Sequence, residues 1–442
     1  MNVAIIGAGW AGLAAAVRAV QDGHHVTLFE ATRHPGGRAR AVTLTLPDGQ
    51  THTIDNGQHI LIAAYTDTLR LMRLVGVNPD AVLMTQALSL TFPDGCGLQL
   101  PYWPSSFDAL AVLAGIATAK GWTWRDKLSL LRTAHAWQRS GFQCDITQTV
   151  AQLCATVTPA VRDSFIAPLC VSALNTPASQ ASGQVFLRVL KDSMFGVPGG
   201  SKLLLPRVDL GQLFPEPALK WLIARGCDVQ MGTRVSSLHN NGAAWQVEGH
   251  LFEHVILAIS STESARVLSA SALTATETIA NQLQSWATLT LALRFEAITT
   301  VYAHCPQGLP KPMLALHTTA EHPAQFVFDK AKLTGEAGLL AFVVSASVGD
   351  KATVQAQVVS QAKAQLGLTI TPLQTIVEKR ATFACTPSLQ RPAQHIAQGL
   401  SACGDYVDGP YPATLEGAVR SGWAAGGLVT PNGHTARPSQ TP

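Results

Sequence analysis

The chain opens with an apolar run typical of a strand that is buried on both faces of a sheet. Val3–Ile6 contains no polar residue, and a glycine-rich loop, Gly7–Gly12, follows it directly. Leu13–Gln21 has the pattern of a helix, and a second strand-like run, His25–Phe29, comes after it. The order of these segments predicts a strand, a helix and a parallel second strand that ends at Glu30.

The spacing of the three glycines in this loop is that of a dinucleotide-binding turn. Gly7 permits a tight bend, Gly9 lets a pyrophosphate approach the backbone, and Gly12 lets the helix pack closely on the strand. The helix would present the backbone N–H groups of its first residues, Trp10 and Ala11, to that pyrophosphate. The sequence therefore predicts a dinucleotide site, with a chance glycine-rich turn as the alternative.

An acid and a second glycine-rich loop extend this site. Glu30 follows Gly12 by 18 residues, where a carboxylate can accept hydrogen bonds from a ribose diol. Gly36, Gly37 and Arg38 come next, and two glycines with an arginine suit a loop that closes over a pyrophosphate. This spacing favours FAD over NAD. The alternative is an ordinary turn, because a proline precedes the first of these glycines.

The C-terminal part of the chain predicts a further strand, loop and helix. Leu400–Cys403 is a short strand that ends at Gly404–Asp405, and Thr414–Leu428 has the pattern of a helix with one small apolar face. The aspartate can reach the ribityl or phosphate groups of FAD. The start of the helix can stabilise negative charge on a reduced flavin. A turn aspartate and an ordinary packed helix are the alternative.

Composition narrows the classes of partner. The 442 residues are 47% hydrophobic and only 13% charged, which excludes a disordered chain. Lys and Arg number 31 against 28 Asp and Glu, and because no basic run is present we expect no nucleic-acid partner. The eight cysteines are scattered, so we expect free thiols in a reducing cytoplasm and no metal site. We expect no membrane-spanning segment, since no apolar window is long enough.

Two segments, 78–197 and 286–384, interrupt the alternation of strands and helices, and we expect them to form an α+β substrate-binding domain. The FAD-binding domain would then consist of residues 1–77, 198–285 and 385–442, so that both domains are discontinuous. A hairpin is predicted around Pro93–Gly95 in the first substrate segment. Four strands that would cover the flavin are predicted in the second substrate segment: Ala287–Phe295, Gln325–Asp329, Leu339–Ser347 and Thr375–Thr382.

Four tryptophans lie close together in the first substrate segment, namely Trp103, Trp122, Trp124 and Trp137. They stand beside lysines and arginines, and this mixture is typical of a segment that lies on a membrane surface. The alternative is that these rings belong to the core or line a cavity, as tryptophans usually do.

Both ends and the middle of the chain resemble the flavin amine oxidase superfamily, which includes phytoene desaturases and protoporphyrinogen oxidases. The resembling segments are Gly7–Gly12 with Glu30, Gly36–Arg38, Pro198–Gly200, Gly232–Val235, Gly404–Asp405 and Thr414–Ala418. The resemblance implies an α/β fold with a Rossmann-like, glutathione reductase-type FAD-binding domain. It also implies a backbone contact between Val235 and adenine, and flavin contacts at Thr414 and Leu415.

Two departures from the amine-oxidising members of this superfamily bear on the chemistry. Amine oxidases place an aromatic residue, one wall of an amine cage, where this chain has Thr414. Some also attach the flavin to a cysteine before the last helix, and Cys403 does not match that position. We therefore expect non-covalent FAD and a substrate that is not an amine.

A closer resemblance to the bacterial hydroxysqualene dehydroxylases is found at Ile54–Ile62, Tyr65–Met72 and Asp405–Ala418. It implies that reduced FAD transfers a hydride to hydroxysqualene and yields squalene, in squalene and hopanoid biosynthesis. The expected partners are an apolar isoprenoid, a membrane surface, and an external electron donor, either NADPH or a small redox protein. The expected location is cytoplasmic, peripheral on the inner face of the cytoplasmic membrane.

The same resemblance suggests candidates for the flavin-facing loop and for the general acid. Gly57 and Gln58 would contact the cofactor. His59 is a candidate for the group that protonates the departing hydroxyl, Tyr411 and Asp408 are the alternatives, and Asp55 in the loop of His59 is a further candidate catalytic residue. The alternative is that Asp55 and His59 only hold the loop or the flavin. Rival functions are a carotenoid-type desaturase, an amine oxidase, and a lipid-binding protein in which FAD is structural.

Overall fold

The structure, a computed structural model, describes residues 1–45, 49, 51–242 and 244–429. Residues 430–442, the end of the predicted FAD-binding domain, lie outside this range. The strands in the described part of the chain are β1 (Asn2–Ile6), β2 (His25–Glu30), β3 (Ala41–Thr45), β4 (Thr51–Asp55), β5 (Leu61–Ile62), β6 (Leu83–Gln86), β7 (Ser89–Thr91), β8 (Gly97–Gln99), β9 (Leu203–Pro206), β10 (Asp228–Met231), β11 (His239–Asn240), β12 (Trp245–Val247), β13 (His250–Phe252), β14 (His254–Leu257), β15 (Phe295–His304), β16 (Met313–Ala315), β17 (Phe326–Asp329), β18 (Leu339–Ser345), β19 (Thr371–Phe383), β20 (His395–Ala397) and β21 (Leu400–Ala402).

The α-helices of the same residues are α1 (Trp10–Gln21), α2 (Thr66–Leu74), α3 (Pro79–Val82), α4 (Asp108–Thr118), α5 (Trp124–Arg139), α6 (Val150–Leu153), α7 (Pro159–Val161), α8 (Ala167–Leu174), α9 (Gly183–Lys191), α10 (Leu210–Leu213), α11 (Pro215–Ile223), α12 (Ser261–Ala272), α13 (Glu277–Leu291), α14 (Lys330–Leu333), α15 (Lys351–Leu366) and α16 (Leu415–Gly427). A 3₁₀ turn, Ser105–Phe107, precedes α4, and two π-helical turns occupy Arg162–Ile166 and Asp192–Gly196.

The largest sheet has six strands in the order β10–β2–β1–β14–β21–β20, of which the first five are parallel and β20 is antiparallel. Side chains of β1 alternate between two cores, since Val3 and Ile5 pack with α1 while Ala4 and Ile6 pack on the opposite face. A strand buried on both faces explains why the run carries no polar residue. The strand–helix–strand unit predicted at the start of the chain is confirmed.

Helices α1 and α16 bring the two ends of the described chain together on one face of this sheet. Their backbones approach so closely that a Cβ atom on Gly422 would lie 2.0 Å from the carbonyl oxygen of Ala11. A similar approach occurs at Gly426, where a Cβ would lie 2.5 Å from the carbonyl oxygen of Ala15. The small apolar face predicted for the last helix is therefore the face that packs on the first helix.

A five-stranded antiparallel sheet, in the order β16–β17–β18–β15–β19, forms the second main layer. Three of the four strands predicted in this segment are present, but the strand predicted over Ala287–Phe295 is wrong. Residues 287–291 belong to α13, because buried Leu283, Trp286, Ala287 and Thr290 recur at helical spacing. The strand begins at Phe295 instead and continues to His304. The domain boundaries given above stay a prediction.

The first substrate segment, residues 78–197, contains the predicted hairpin, formed by β7 and β8, and most of the short helices. Its four tryptophans divide into two groups, since Trp122 and Trp137 are buried whereas Trp103 and Trp124 are exposed. All eight cysteines are free, and six of them are buried. Within the described residues no helix is both long and apolar enough to cross a membrane.

Candidate active site

The first glycine loop lies between the end of β1 and the start of α1. Gly7 has a φ of 112°, and a Cβ on it would lie 2.6 Å from the carbonyl oxygen of Ala258, at the end of β14. A Cβ on Gly12 would lie 1.8 Å from the carbonyl oxygen of Gly7. Gly9 is different, because the nearest atom to a Cβ there would be the Cα of Gly37 at 3.9 Å. Gly7 and Gly12 are thus required by the fold, whereas Gly9 leaves open space beside the loop.

The start of α1 is available to an anion. Gly9 precedes the helix, and no side chain caps its N-terminus. The indole of Trp10 points away from the loop, since its Nε1 donates to the carbonyl oxygen of Ala39 at 3.1 Å and its ring packs on Phe214. The contact of a pyrophosphate with the backbone N–H groups of Trp10 and Ala11 stays a prediction, with which this geometry is compatible.

The carboxylate of Glu30 lies against the glycine loop. It accepts hydrogen bonds from the N–H of Ala8 at 2.7 Å and from the N–H of Thr32 at 2.8 Å. The turn after β10 contacts the end of β2, because the N–H of Thr233 donates to the carbonyl oxygen of Glu30 at 2.9 Å. Val235, in the following segment, is buried, and its carbonyl oxygen accepts from Arg266. The structure thus brings Glu30 and the Val235 segment to one end of the sheet.

The second glycine loop contacts the first. The N–H of Gly36 donates to the carbonyl oxygen of Ala8 at 2.8 Å, and a Cβ on Gly37 would lie 3.3 Å from the Cα of Gly9. The next residue, Arg38, donates to Ala381 and to Asp405. The predicted cofactor residues from the two halves of the chain therefore meet at one place.

Residues around the last strand complete this region. Gly404 donates its N–H to the Oγ of Ser421 at 3.1 Å, so the loop after β21 is fastened to α16. Thr414 caps α16 through its Oγ1, which accepts from the N–H of Gly417 at 2.9 Å. Leu415 is the first residue of the helix. The buried Glu416 carboxylate accepts from the N–H groups of α2 and from Arg420, a structural role that the sequence did not reveal.

The loop after β4 is held by contacts from distant parts of the chain. The Asp55 carboxylate accepts from the N–H of Leu210 at 2.7 Å, and the Asp55 carbonyl oxygen accepts from the hydroxyl of Tyr302 at 2.8 Å. Gln58 accepts from Lys330 at 3.4 Å, and His59 contacts its own loop, with Nδ1 2.7 Å from the carbonyl oxygen of Gly57. The end of β4 and the loop are thereby anchored to Leu210, Tyr302 and Lys330.

Comparisons with known proteins identify the family. The family model described as flavin containing amine oxidoreductase matches residues 10–429. The chain belongs to this family. It is 28% identical to the hydroxysqualene dehydroxylase of Rhodopseudomonas palustris, in a match that covers 97% of this chain and 98% of that protein. A shorter match, 41% identical over 80 residues, links 18% of this chain to 16% of the zeta-carotene desaturase of Synechocystis.

A solved structure agrees with this assignment. The oxidoreductase from Methanosarcina mazei has a TM-score of 0.69 and 15% sequence identity, covering 96% of this chain and 99% of that one. Together with the parallel sheet, this likeness confirms the predicted Rossmann-like, amine oxidase-like fold. The protein is an FAD-dependent oxidoreductase of the flavin-containing amine oxidoreductase family.

The residues of this amine oxidoreductase fit FAD. The N-terminus of α1 is uncapped, and a carboxylate, Glu30, lies beside it. Among the described residues three buried side-chain oxygens have no hydrogen-bond partner: Asp55 Oδ2, Ser261 Oγ and Thr300 Oγ1. Ser261 lies with Arg38 and Asp405 around a small cavity. Thr300 faces the loop after β4, since a Cβ on Gly57 would lie 3.8 Å from its Oγ1.

His59, Asp55 and Tyr411 are all buried at least in part, but their pKa values are shifted in different ways. Burial lowers the pKa of His59, whose Nδ1 faces a carbonyl oxygen. Burial raises the pKa of Asp55 to about 7, although the positive charge of Lys330 opposes the shift. Burial and a hydrogen bond to Asp192 raise the pKa of Tyr411 to about 12. Tyr411 also lines a cavity of about 220 Å³.

Sequence reasoning missed three residues that reach the loop after β4: Thr300 and Tyr302 from the antiparallel sheet, and Lys330 from the start of α14. The strand was predicted to end at Phe295, whereas it begins there. Thr300 and Tyr302 were therefore not assigned to a strand. Lys330 directly follows a predicted strand, but nothing in the local pattern indicates that a lysine there is buried.

Proposed function

We propose that this flavin-containing amine oxidoreductase reduces hydroxysqualene to squalene with FAD, as a step of bacterial squalene and hopanoid biosynthesis. The observation that carries the proposal is the extent of the match to the Rhodopseudomonas palustris hydroxysqualene dehydroxylase, 97% of this chain and 98% of that protein. A match of this extent includes the FAD-binding loops and also the segments expected to bind the substrate.

The rival activities have weaker support. The matches to zeta-carotene desaturases cover only part of the chain, 18% for that of Synechocystis and 29% for the probable one of Synechococcus elongatus. An amine cage is disfavoured at Thr414, because its Oγ1 accepts from Gly417 and donates to the carbonyl oxygen of Tyr411 at 2.9 Å. This side chain is occupied with the start of α16 and has no aromatic face to offer an amine.

The proposed reaction replaces an allylic C–OH group by C–H. The substrate gains a hydride and a proton, and its hydroxyl group leaves as water. Reduced FAD supplies the hydride when it is bound. The protein has to exclude bulk water and protonate the departing oxygen, because hydroxide is a poor leaving group.

Tyr411 is the group to which we assign the protonation of the departing oxygen. Its phenol is protonated at neutral pH and the residue lines a cavity together with Asp405, although the raised pKa makes it a weaker acid than an ordinary tyrosine. His59 is neutral at that pH because its pKa is lowered, and its Nδ1 proton is directed to the carbonyl oxygen of Gly57. Asp55 is held behind the loop by Leu210. We therefore assign the acid to Tyr411 and a positioning role to His59 and Asp55.

The electrons come from an external donor, since the sequence contains one dinucleotide fingerprint, Gly7–Gly12, and it serves FAD. NADPH or a small redox protein would supply them.

Peripheral membrane contact is part of the proposal, and an exposed apolar patch supports it. We define this patch as Tyr102, Trp103, Phe107, Leu110, Leu113, Trp124 and Leu128. All seven side chains are exposed, Trp124 by 80% and Leu110 by 54%. Lysines border the patch, with Lys127 5.4 Å from the ring of Trp124 and Lys202 5.2 Å from that of Tyr102. Apolar side chains edged by cations suit an anionic bilayer surface. The protein would bind the inner face of the cytoplasmic membrane peripherally and collect its isoprenoid there.

An anaerobic single turnover tests the activity. The holoenzyme is photoreduced, mixed with hydroxysqualene in detergent, and followed through the flavin absorbance, while products are analysed by mass spectrometry. Flavin reoxidation with formation of squalene is expected. A flavin that stays reduced beside unchanged alcohol would contradict the proposal, and oxidised enzyme would then be tested with squalene, carotenoid precursors and amines.

Variants test the assignment of the acid. Tyr411→Phe should retain FAD and slow reoxidation roughly 100-fold, the lower range for loss of a general acid. Tyr102→Phe, which removes an exposed hydroxyl, is the control and should react at the wild-type rate. Full reactivity of Tyr411→Phe would return the acid to His59 or Asp55.

A further inference from the structure

Lys330 is a buried lysine without an ion-pair partner among the residues that the structure describes. It is the first residue of α14, directly after β17, and only 1% of the residue is exposed. Its Nζ donates to Oε1 of Gln58 at 3.4 Å, and no carboxylate oxygen within the described residues lies within 4.0 Å of it. A buried ammonium group with one long hydrogen bond is costly, so its retention calls for a functional explanation.

The contact with Gln58 leads directly into the flavin-facing loop. The Gln58 side chain receives the Lys330 hydrogen bond at Oε1 and donates from Nε2 to the carbonyl oxygen of His59 at 3.3 Å. His59 in turn directs Nδ1 to the carbonyl oxygen of Gly57. Lys330 therefore contacts the loop from Gly57 to His59 through Gln58, although it lies at the start of α14, far from the loop in the chain.

The acidic groups around Lys330 do not pair with it directly, since none of their oxygens within the described residues lies within 4.0 Å of its Nζ. Burial raises the pKa of Asp55 to about 7, and the positive charge of Lys330 opposes this shift. Asp209 and Glu336 act on Asp55 as further negative charges, and Tyr302 contributes a neutral phenol whose pKa burial raises. Oδ2 of Asp55 has no partner in the described residues.

We propose that Lys330 is a positioning residue of the flavin site, which holds the loop from Gly57 to His59 through Gln58 and whose buried charge makes bound FAD easier to reduce. A positive charge in a low-dielectric interior stabilises the negative charge that a flavin gains on reduction. The inference relies on the proposed function only for the direction of electron flow, since the loop and the flavin are common to every activity considered above.

The midpoint potential of bound FAD tests this inference, measured on the holoenzyme against a reference dye. Lys330→Met should shift the potential to a more negative value by at least about 30 mV, which is a tenfold change in a two-electron equilibrium. Lys330→Arg keeps the charge and should restore most of the wild-type potential. Lys332→Met removes an exposed lysine of the same short helix and should leave the potential unchanged.

Lys330→Gln removes the charge with a polar side chain and replaces the methionine variant if that one does not fold. Gln58→Leu tests the positioning role separately, because it removes the contact to the loop while the charge of Lys330 is retained, so FAD should bind more weakly while its potential shifts less than in Lys330→Met. Wild-type FAD affinity in Gln58→Leu, or a wild-type potential in a folded variant that lacks the Lys330 charge, would overturn the proposal. The predicted shifts in an enzyme that leaves hydroxysqualene unchanged would contradict the proposed function alone.

Discussion

The guanidinium of Arg38 donates a hydrogen bond to the carboxylate of Asp405, 367 residues later in the chain. The negative charge of Asp405 raises the pKa of Arg38, and the aspartate side chain is the more buried of the two. The pair joins the second glycine loop to the loop after β21. Two residues predicted to bind FAD thus orient one another before they meet a ligand.

Breaking this pair should weaken FAD binding. Asp405→Asn preserves the shape of the side chain but removes the charge that orients Arg38. We expect the FAD dissociation constant to rise about tenfold, equivalent to about 1.4 kcal/mol, when apoprotein is titrated with FAD. Asp22→Asn breaks the exposed Arg18–Asp22 pair and should leave the constant unchanged.

A double variant extends this test. If Arg38 and Asp405 act together, Arg38→Gln combined with Asp405→Asn should cost less than the sum of the two single changes. Equal or tighter FAD binding by Asp405→Asn would show that the pair competes with the cofactor.

Two glycines of the first loop should fail in different ways when changed to alanine. Gly12→Ala places a Cβ 1.8 Å from the carbonyl oxygen of Gly7, so we expect a poorly folded protein with a low melting temperature. Gly9→Ala meets no atom nearer than 3.9 Å, and Gly9 has an ordinary φ of −75°. Its apoprotein should melt like wild type yet bind FAD at least about tenfold more weakly, because the methyl group occupies the approach to the backbone. Normal FAD affinity in Gly9→Ala would place the pyrophosphate elsewhere.

The FAD half of the fold could be predicted because its signals are local. Val3–Ile6, the glycine loop and Glu30 follow each other within one strand–helix–strand unit, and each has a steric or hydrogen-bonding requirement that few residue types meet. The contact of Arg38 with Asp405 could be anticipated only through the resemblance, since no local pattern joins residues so distant in the chain.

The other half depends on tertiary packing that local patterns do not contain. The apolar run that begins at Ala287 is compatible with a strand or with a helix. Its first residues are helical because they continue α13. The burial of Trp122 and the exposure of Trp124 depend on how α5 packs. Lys330 shows the limit most clearly, because composition predicts an exposed lysine and the fold buries it against Gln58.

The buried Asp55 should make the protein less stable as the pH rises. Its pKa is about 7 in the folded protein against 3.8 for an ordinary aspartate, so the folded state binds more protons between these values. The free energy of unfolding must then fall with increasing pH across this window, by at most about 1.4 kcal/mol per pH unit for one group. Asp55→Asn cannot ionise and should escape this loss.

Urea denaturation of FAD-saturated protein at several pH values checks this expectation. The stability of Asp55→Asn relative to wild type should increase between about pH 4 and pH 7 and remain constant above that range. Asp80→Asn, at an exposed aspartate, should follow the wild-type curve. A constant difference between Asp55→Asn and wild type at every pH would mean that folding does not change the pKa of Asp55.

The apolar patch should determine binding to lipid vesicles. Leu113 is 50% exposed on α4 and Trp124 is 80% exposed at the start of α5, and Lys127 joins the two helices by donating to the carbonyl oxygen of Ala117 at 2.6 Å. Burying one such apolar side chain in a bilayer contributes about 1.5–3 kcal/mol, so Leu113→Glu or Trp124→Glu should weaken binding to anionic vesicles roughly tenfold or more.

Leu273→Glu is the matched control, because Leu273 is 85% exposed after α12 and lies outside the patch. Because cations border the patch, added salt should also weaken wild-type binding. Co-sedimentation of all three variants to the wild-type extent would exclude the patch as the membrane contact.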